Sequence, residues 1–187
     1  MMKNVKYLQL ALSAMIILAF LTMPLSLNGQ AGKADFSGTW AFNLDKSDVG
    51  GGPEGPPQGQ QPPEGRRMGG FGGGDFTAEQ EANLLTVERT FTRPDGESTT
   101  TTSKYTLDGK ESVNSTGRGE SKSTATWSAD GKTLKIETTR NFDIRGETRT
   151  MNSTEEWTLK DANTLSIKTT METPMGERTS TMVYDKK

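Results

Sequence analysis

The chain has 187 residues, with 22 lysines and arginines against 24 aspartates and glutamates, and it contains neither cysteine nor histidine. This length suits one domain, and a net charge of −2 gives no electrostatic drive toward nucleic acid or an anionic membrane. Without cysteine and histidine, a disulfide framework, thiol or imidazole catalysis and the usual zinc ligands are excluded.

Residues 1–31 have the features of a targeting segment. Two lysines precede an uncharged run rich in Leu, Ile, Ala and Met, and Pro24 and several small residues follow. This order is typical of a secretory signal peptide cleaved near Gly29 or Ala31, and it predicts a periplasmic or secreted protein without a stable membrane span. The alternative is an uncleaved membrane anchor, since the run is nearly long enough to cross a bilayer.

The remainder, 32–187, is predicted to be a single all-β domain with an early interruption. After a first strand around Trp40, sixteen of the 25 residues at positions 50–74 are Gly or Pro. Such a segment cannot bury enough apolar surface to offset its ordering entropy, so we expect a disordered loop at about 47–80. A short helical turn over Thr77–Asn83 is an option within it, because a threonine could cap the turn.

From position 84 onward, stretches rich in Thr, Ser and β-branched residues alternate with turn signals. Asp108-Gly109 and Asp130-Gly131 separate alternating runs and are typical of hairpins. A unit of strand, tight turn and strand begins before Trp127 and recurs before Trp157. The pattern favours an up-and-down antiparallel β-barrel of about eight or nine strands.

Sequence parity predicts the inward face of each strand, because side chains alternate across a strand. In the first strand Trp40, Phe42 and Leu44 share one face. Most later strands also carry apolar residues on one face and Thr, Ser, Lys or Glu on the other. One apolar face per strand favours a barrel with a single interior.

Several charged and aromatic residues share the inward faces and are the candidate ligand contacts. These candidates are Trp127, Trp157, Arg89, Arg149, Arg178 and Tyr105. Buried charges are costly unless they are paired, so inward arginines indicate a polar lumen. The alternatives are that the tryptophans only pack the core and that the arginines lie near strand ends or beside a bulge.

The opening strand carries the clearest resemblance to known proteins. Ala34–Trp40 reads Ala-Asp-Phe-Ser-Gly-Thr-Trp, and its Gly38-x-Trp40 motif resembles the first strand of small exported bacterial lipocalin-like proteins and, more distantly, of the other calycins. The resemblance implies a barrel whose tryptophan plugs the closed end. The last strand departs from the Arg-x-Tyr spacing with which fatty-acid-binding proteins often hold a carboxylate, because Arg178 and Tyr184 are too far apart.

Together these features predict an exported, non-catalytic binding module for a small amphipathic or hydrophobic molecule, without cofactor, metal or nucleic-acid partner. We expect a pocket near Trp127 and Trp157, lined also by inward arginines and hydroxyls, that accepts an anionic molecule. No P-loop, dinucleotide fingerprint or nucleophile elbow occurs in the sequence. The alternative is a non-enzymatic envelope or secreted protein with a filled barrel core, acting through its surface.

Overall fold

The computed structural model describes residues 32–49, 74–92, 96–116, 119–144, 147–173 and 176–187. Within these ranges the chain forms ten β-strands and no helix. The strands are β1 Gly38–Asp48, β2 Phe76–Glu81, β3 Leu84–Thr92, β4 Ser98–Thr106, β5 Glu111–Thr116, β6 Gly119–Trp127, β7 Thr133–Ile144, β8 Glu147–Asp161, β9 Thr164–Thr173 and β10 Gly176–Lys186.

All ten strands join one antiparallel sheet in the order β4-β3-β2-β1-β10-β9-β8-β7-β6-β5. The first strand pairs with the last, so that Trp40 lies opposite Lys186 and Phe42 opposite Tyr184. This pairing closes the meander into a nearly complete barrel. The expected up-and-down antiparallel barrel is confirmed, with slightly more strands than the sequence predicted.

Side chains join the barrel at one seam, where β4 meets β5. Asn114 Oδ1 accepts a hydrogen bond from the Lys104 backbone N–H at 2.7 Å, and Asn114 Nδ2 donates to the Lys104 carbonyl at 3.0 Å. Ser112 Oγ accepts from the Thr106 backbone N–H at 2.9 Å. In the described part of the chain these bonds take the place of a backbone ladder between the two strands.

The predicted hairpin turns are present where the Asp-Gly pairs stand. The Asp130 carboxylate accepts hydrogen bonds from Ser128 Oγ at 2.6 Å and from the Lys132 N–H at 3.1 Å. Gly131 follows with a φ of 70°, a conformation that glycine adopts without steric penalty. Local chemistry therefore sets the connection between β6 and β7.

The helical turn that was an option at Thr77–Asn83 does not form, because Phe76–Glu81 is strand β2. Phe76 and Ala78 alternate into the core there, and pairing with β1 and β3 outweighs a local cap. The expected loop at 47–80 is correspondingly shorter at both ends. Its central positions 50–73, and the expected signal peptide at 1–31, lie outside the described residues.

Leu44 does not enter the core as parity predicted. The register between β1 and β10 shifts between Asn43 and Asp48, and Leu44 is 43% exposed. Ser47 holds this irregularity, since its Oγ donates to the Asn43 carbonyl at 2.6 Å and accepts from the Val183 N–H at 2.9 Å. Five residue steps along β1 here correspond to two along β10, and extra residues in one strand re-aim the side chains that follow them.

Aromatic residues fill one end of the barrel, which we call the aromatic end. Phe36 lies parallel to Trp127, with ring centroids 5.8 Å apart, and meets Trp157 edge-on at 5.7 Å. The buried Trp40 donates its indole N–H to the Phe36 carbonyl at 2.9 Å, and the Lys186 ammonium lies 5.4 Å from the Trp40 ring. Trp40 is thus a buried part of the aromatic end.

Candidate ligand-binding interior

The inward face changes from apolar to polar along the strands. On β3 and β4 the facing pairs are Leu85 with Tyr105, Val87 with Ser103 and Arg89 with Thr101. On β7 and β8 they are Leu134 with Trp157, Ile136 with Glu155, Thr138 with Ser153 and Arg140 with Met151. We call Arg89, Tyr105, Arg140, Glu155 and Thr169 the polar tier; it lies beside the aromatic end, inside the barrel.

Charges of the polar tier converge on Tyr105. Burial raises the pKa of its hydroxyl to about 12, and the negative charge of Glu155 adds to this shift. A hydrogen bond with Ser103 and the positive charges of Arg89 and Arg140 oppose the rise in pKa. Tyr105 therefore stays protonated at neutral pH and can donate a hydrogen bond to a guest.

Glu155 connects the polar tier to the aromatic end. The Trp157 indole N–H donates to Glu155 Oε2 at 2.8 Å, a charge-assisted bond that fixes the carboxylate. Glu155 lies directly opposite Thr169 in the pairing of β8 with β9. The carboxylate and the hydroxyl are thus neighbours on the inner wall.

Arg89 is held by aromatic side chains. Its guanidinium carbon lies 4.5 Å from the centroid of the Phe76 ring, within the range of a cation–π contact. Burial raises the pKa of the Tyr184 hydroxyl, and the charge of Arg89 and its hydrogen bond to that hydroxyl oppose the rise. These contacts position a positive charge within the barrel.

Two buried polar atoms of the tier have no hydrogen-bond partner among the described residues. They are Arg140 Nε and Thr169 Oγ1, and Thr169 as a whole is only 7% exposed. Leaving a buried donor or acceptor unsatisfied costs about 1–3 kcal/mol. Such groups are rare in folded proteins, so a bound group that satisfies them is the physical expectation.

The structure brings three of the six candidates from the sequence together and separates the others. Arg89 and Tyr105 belong to the polar tier and Trp157 borders it through its hydrogen bond to Glu155. Arg149 and Arg178, by contrast, are exposed as the third residues of β8 and β10. Both arginines therefore fit the alternative that they lie near strand ends and not in the interior. Ligand contact by Trp127, Trp157, Arg89 and Tyr105 stays a prediction, whereas the exposed Arg149 and Arg178 lie outside the polar tier.

Trp127 lies at the aromatic end rather than in the polar tier. Its ring stacks on Phe36, and the Lys33 ammonium lies 5.4 Å from the ring centroid. The buried Trp127 Nε1 has no hydrogen-bond partner within the described ranges. The core-packing alternative thus accounts for the ring, while the indole N–H is unsatisfied.

Arg140 and Thr169 were missed as candidates, although parity could have found both. Arg140 has the same parity as the buried Leu134 and Ile136, and Thr169 has that of the buried Leu165 and Ile167. Threonine is so common in this chain that a single inward threonine carries no signal. Only the pairing of β8 with β9 places Thr169 beside a carboxylate.

A hollow of about 500 Å³ lies outside the barrel, across β5 to β9. Its lining consists of Glu111, Lys122, Ser123, Thr124, Glu137, Thr138, Thr139, Asn152, Ser153, Thr154 and Glu172. Thr139 donates to Asn152 Oδ1 at 3.0 Å, and Asn152 Nδ2 donates to Glu172 Oε2 at 2.9 Å. Because every lining residue is polar or charged and some of them already satisfy one another, the interior, which combines unsatisfied polar atoms with an apolar core, is the stronger candidate site.

Two further searches of the described residues found nothing. No group of three or more acidic, cysteine or histidine side chains there is placed to hold a metal ion. The described ranges also contain no helix of the length and apolar character needed to cross a membrane.

Comparison with known proteins gives a likeness only among solved structures. No family model matches the chain, and no curated protein matches it. Among solved structures it is similar to the zebrafish ileal bile acid-binding protein, crystallised with cholic acid. The two share 17% identity with a TM-score of 0.49, over 81% of this chain and 98% of that chain. At this identity and TM-score the likeness supports no inference about a ligand.

Proposed function

We propose that this protein is an exported, non-catalytic binding module that holds a small amphipathic molecule inside its barrel. The observation that carries the proposal is the pair of unsatisfied buried atoms, Arg140 Nε and Thr169 Oγ1, beside an apolar core. A guest with an apolar part against the core and a polar group at these atoms would satisfy them. Pockets for small molecules combine apolar walls with a few placed polar groups in this way.

The charges of the polar tier favour an anionic group on the guest. The tier carries two guanidinium groups, on Arg89 and Arg140, against the single carboxylate of Glu155. The protonated Tyr105 adds a neutral donor. Hydrogen bonds to charged groups are stronger than those between neutral groups, so an anion gains most from this arrangement.

Export is the second part of the proposal and is supported by the composition of residues 1–31. N-terminal sequencing of the protein recovered from its producing cells measures the start of the mature chain. We expect a start near Gly29 or Ala31. A mature chain that starts at Met1 contradicts cleavage and favours the membrane anchor.

The filled-core alternative is supported by the packing of the aromatic end. Trp157 is 1% exposed and contacts Phe36 and Phe76 edge-on at 5.7 and 5.5 Å. Native mass spectrometry of the gently purified protein separates the two functions. A co-purifying small molecule supports the binding module, and a chain mass without any adduct supports an interaction protein.

Titration of tryptophan fluorescence with aliphatic and aromatic carboxylates tests the interior site directly. We expect Arg140→Ala to weaken binding by about tenfold or more, equivalent to about 1.4 kcal/mol. Arg149→Ala is the matched control, because Arg149 is exposed and pairs with Glu147 at 3.6 Å. If no carboxylate changes the emission, or if both variants bind as the wild type does, the anionic interior site is wrong.

A further inference from the structure

The polar tier contains an acceptor as well as donors, and this narrows the class of guest. Glu155 faces the interior from β8, directly opposite Thr169 on β9. One oxygen of its carboxylate already accepts the Trp157 N–H at 2.8 Å. A carboxylate has about four acceptor positions, so Glu155 can accept a further hydrogen bond from a guest.

A plain carboxylate guest does not match this wall. Close to Glu155 it would bring two negative charges together, and like charges in a site of low dielectric repel strongly. It could also leave Thr169 Oγ1 without a partner. A hydroxyl on the guest resolves both problems, because it can donate to Glu155 and accept from Thr169.

The pairing register gives the distance along the strands between Glu155 and Arg140. Glu155 pairs with Ile136, and Arg140 lies four residues farther along β7, which is roughly 13 Å of strand at about 3.3 Å per residue. The long arginine side chain shortens this gap, since the charges of Arg140 and Glu155 both act on Tyr105. A guest whose hydroxyl lies within a few bonds of its anionic group can therefore contact Arg140 and the Glu155–Thr169 pair at the same time.

We infer that the interior selects a hydroxylated amphipathic acid, with the anion at Arg140 and the hydroxyl between Glu155 and Thr169. This inference rests on the proposed function, since it assigns a ligand class to the same interior. It differs from that proposal in requiring a hydrogen-bond donor on the guest. Binding sites built to pair with a substrate hydroxyl discriminate strongly against analogues that lack it.

Calorimetric titration of the purified mature protein with decanoate and with 3-hydroxydecanoate tests the inference. The two acids share chain length and charge and differ by one hydroxyl. We expect the hydroxylated acid to bind at least about tenfold more tightly. Equal affinities overturn the hydroxyl inference and leave the proposed function standing, whereas absence of binding by both acids counts against the proposed function as well.

Two variants show whether the preference comes from these side chains. Glu155→Gln keeps an acceptor for Trp157 and removes the repelling charge, so decanoate should bind more tightly and the ratio of affinities should shrink. Thr169→Val should weaken the hydroxylated acid alone. It should also raise the melting temperature of the ligand-free protein, because it removes an unsatisfied buried hydroxyl.

Lys168→Ala serves as the control for both variants, since Lys168 precedes Thr169 on β9 but its side chain is exposed on the outer face, where it pairs with Glu156 at 3.7 Å. It should leave the ratio of the two affinities unchanged. If Thr169→Val lowers the melting temperature and leaves the affinity ratio at its wild-type value, Thr169 is a packing residue and the assignment of the hydroxyl is wrong.

Discussion

Tyr105 is the residue at which the interior electrostatics can be measured. Its hydroxyl is buried, and it experiences the charges of Glu155, Arg89 and Arg140 together. Burial favours the neutral form of a phenol. A titration of this one group therefore reports both the burial of the polar tier and the sign of the charges around it.

The tyrosinate absorbance should show one group that titrates at a pH of about 12, and Tyr105→Phe should remove it. Because the folded pKa lies above the ordinary value of 10.0, the protonated phenol stabilises the fold. That contribution is complete below pH 10 and is lost as the pH rises through 12. In Glu155→Gln this pKa should fall, since the charge of Glu155 is one cause of its rise. An unchanged value would place Glu155 away from Tyr105.

Gly38 explains at the residue scale why the opening motif requires glycine. Its φ is 142°, and a Cβ there would lie 2.5 Å from Lys186 Cε. Gly38→Ala should destabilise the protein by about 1–3 kcal/mol, since residues other than glycine are strained at such an angle. Urea unfolding measures the change. Gly74→Ala is the control, because no atom lies within 4 Å of its Cβ position, and equal effects of both variants would contradict the argument.

At the scale of elements, the repeated hairpin differs between its two copies. Trp127 faces Leu134 across β6 and β7, but Trp157 faces Ile167 across β8 and β9. The second hairpin extends to Asp161 opposite Thr164, with an irregularity after Leu159. Trp157 is therefore set deeper in its hairpin than Trp127 is, which agrees with its stronger burial.

The seam between β4 and β5 gives a prediction for a single side chain. Asn114→Ala removes both hydrogen bonds to the Lys104 backbone and leaves two polar groups without that partner. Because Asn114 is only 7% exposed, we expect a loss of about 1–3 kcal/mol. Hydrogen exchange of the β4 amides, with urea unfolding, measures the effect.

Asn152→Ala is the matched control for the seam, since Asn152 stands in the same Asn-Ser-Thr sequence but is exposed on the outer face. It should change stability by less than about 0.5 kcal/mol, as is usual for surface substitutions. If the two variants are equally stable, or if β4 exchange is unaffected in Asn114→Ala, the seam does not depend on this amide.

At the scale of the whole molecule, closure of the barrel depends on the first and last strands. Asp185 of β10 accepts from Asn43 Nδ2 at 2.6 Å and Lys46 Nζ at 2.9 Å on β1. Asp75 accepts from Lys187 Nζ at 2.7 Å and from the Phe42 N–H at 3.0 Å. Hydrogen bonds with Lys46 and with Lys187 lower the pKa of Asp185 and of Asp75, respectively.

Acid should therefore weaken this closure. Since the folded pKa of each aspartate lies below its ordinary value of 3.8, the stabilising contribution is complete above that pH and is lost as the pH falls through the lowered values. Thermal unfolding between about pH 6 and pH 2 should show a shallower decline for the double variant Asp75→Asn with Asp185→Asn. The effect should be small, because these ion pairs are exposed and solvent screens them. Parallel declines would show that other groups control acid stability.

Local patterns in the sequence are enough to predict most of the strands, the tight turns and the chemistry that the chain lacks. Period-2 patterns and Asp-Gly pairs act within a few residues, so local rules suffice for them. The same rules predicted that Arg89, Tyr105 and Trp157 face inward. Parity failed at Leu44, because an irregularity in pairing with a distant strand re-aims the chain.

Tertiary pairing is needed to tell which polar groups meet. Arg140 and Thr169 join Glu155 in the polar tier, while Arg149 and Arg178 point to solvent. That selection depends on the height of each residue along its strand and on the register of β7, β8 and β9. Register within these hairpins follows from their turns, but the meeting of Arg140 and Glu155 with Arg89 and Tyr105 depends on closure of the whole sheet, a long-range contact that local sequence does not encode.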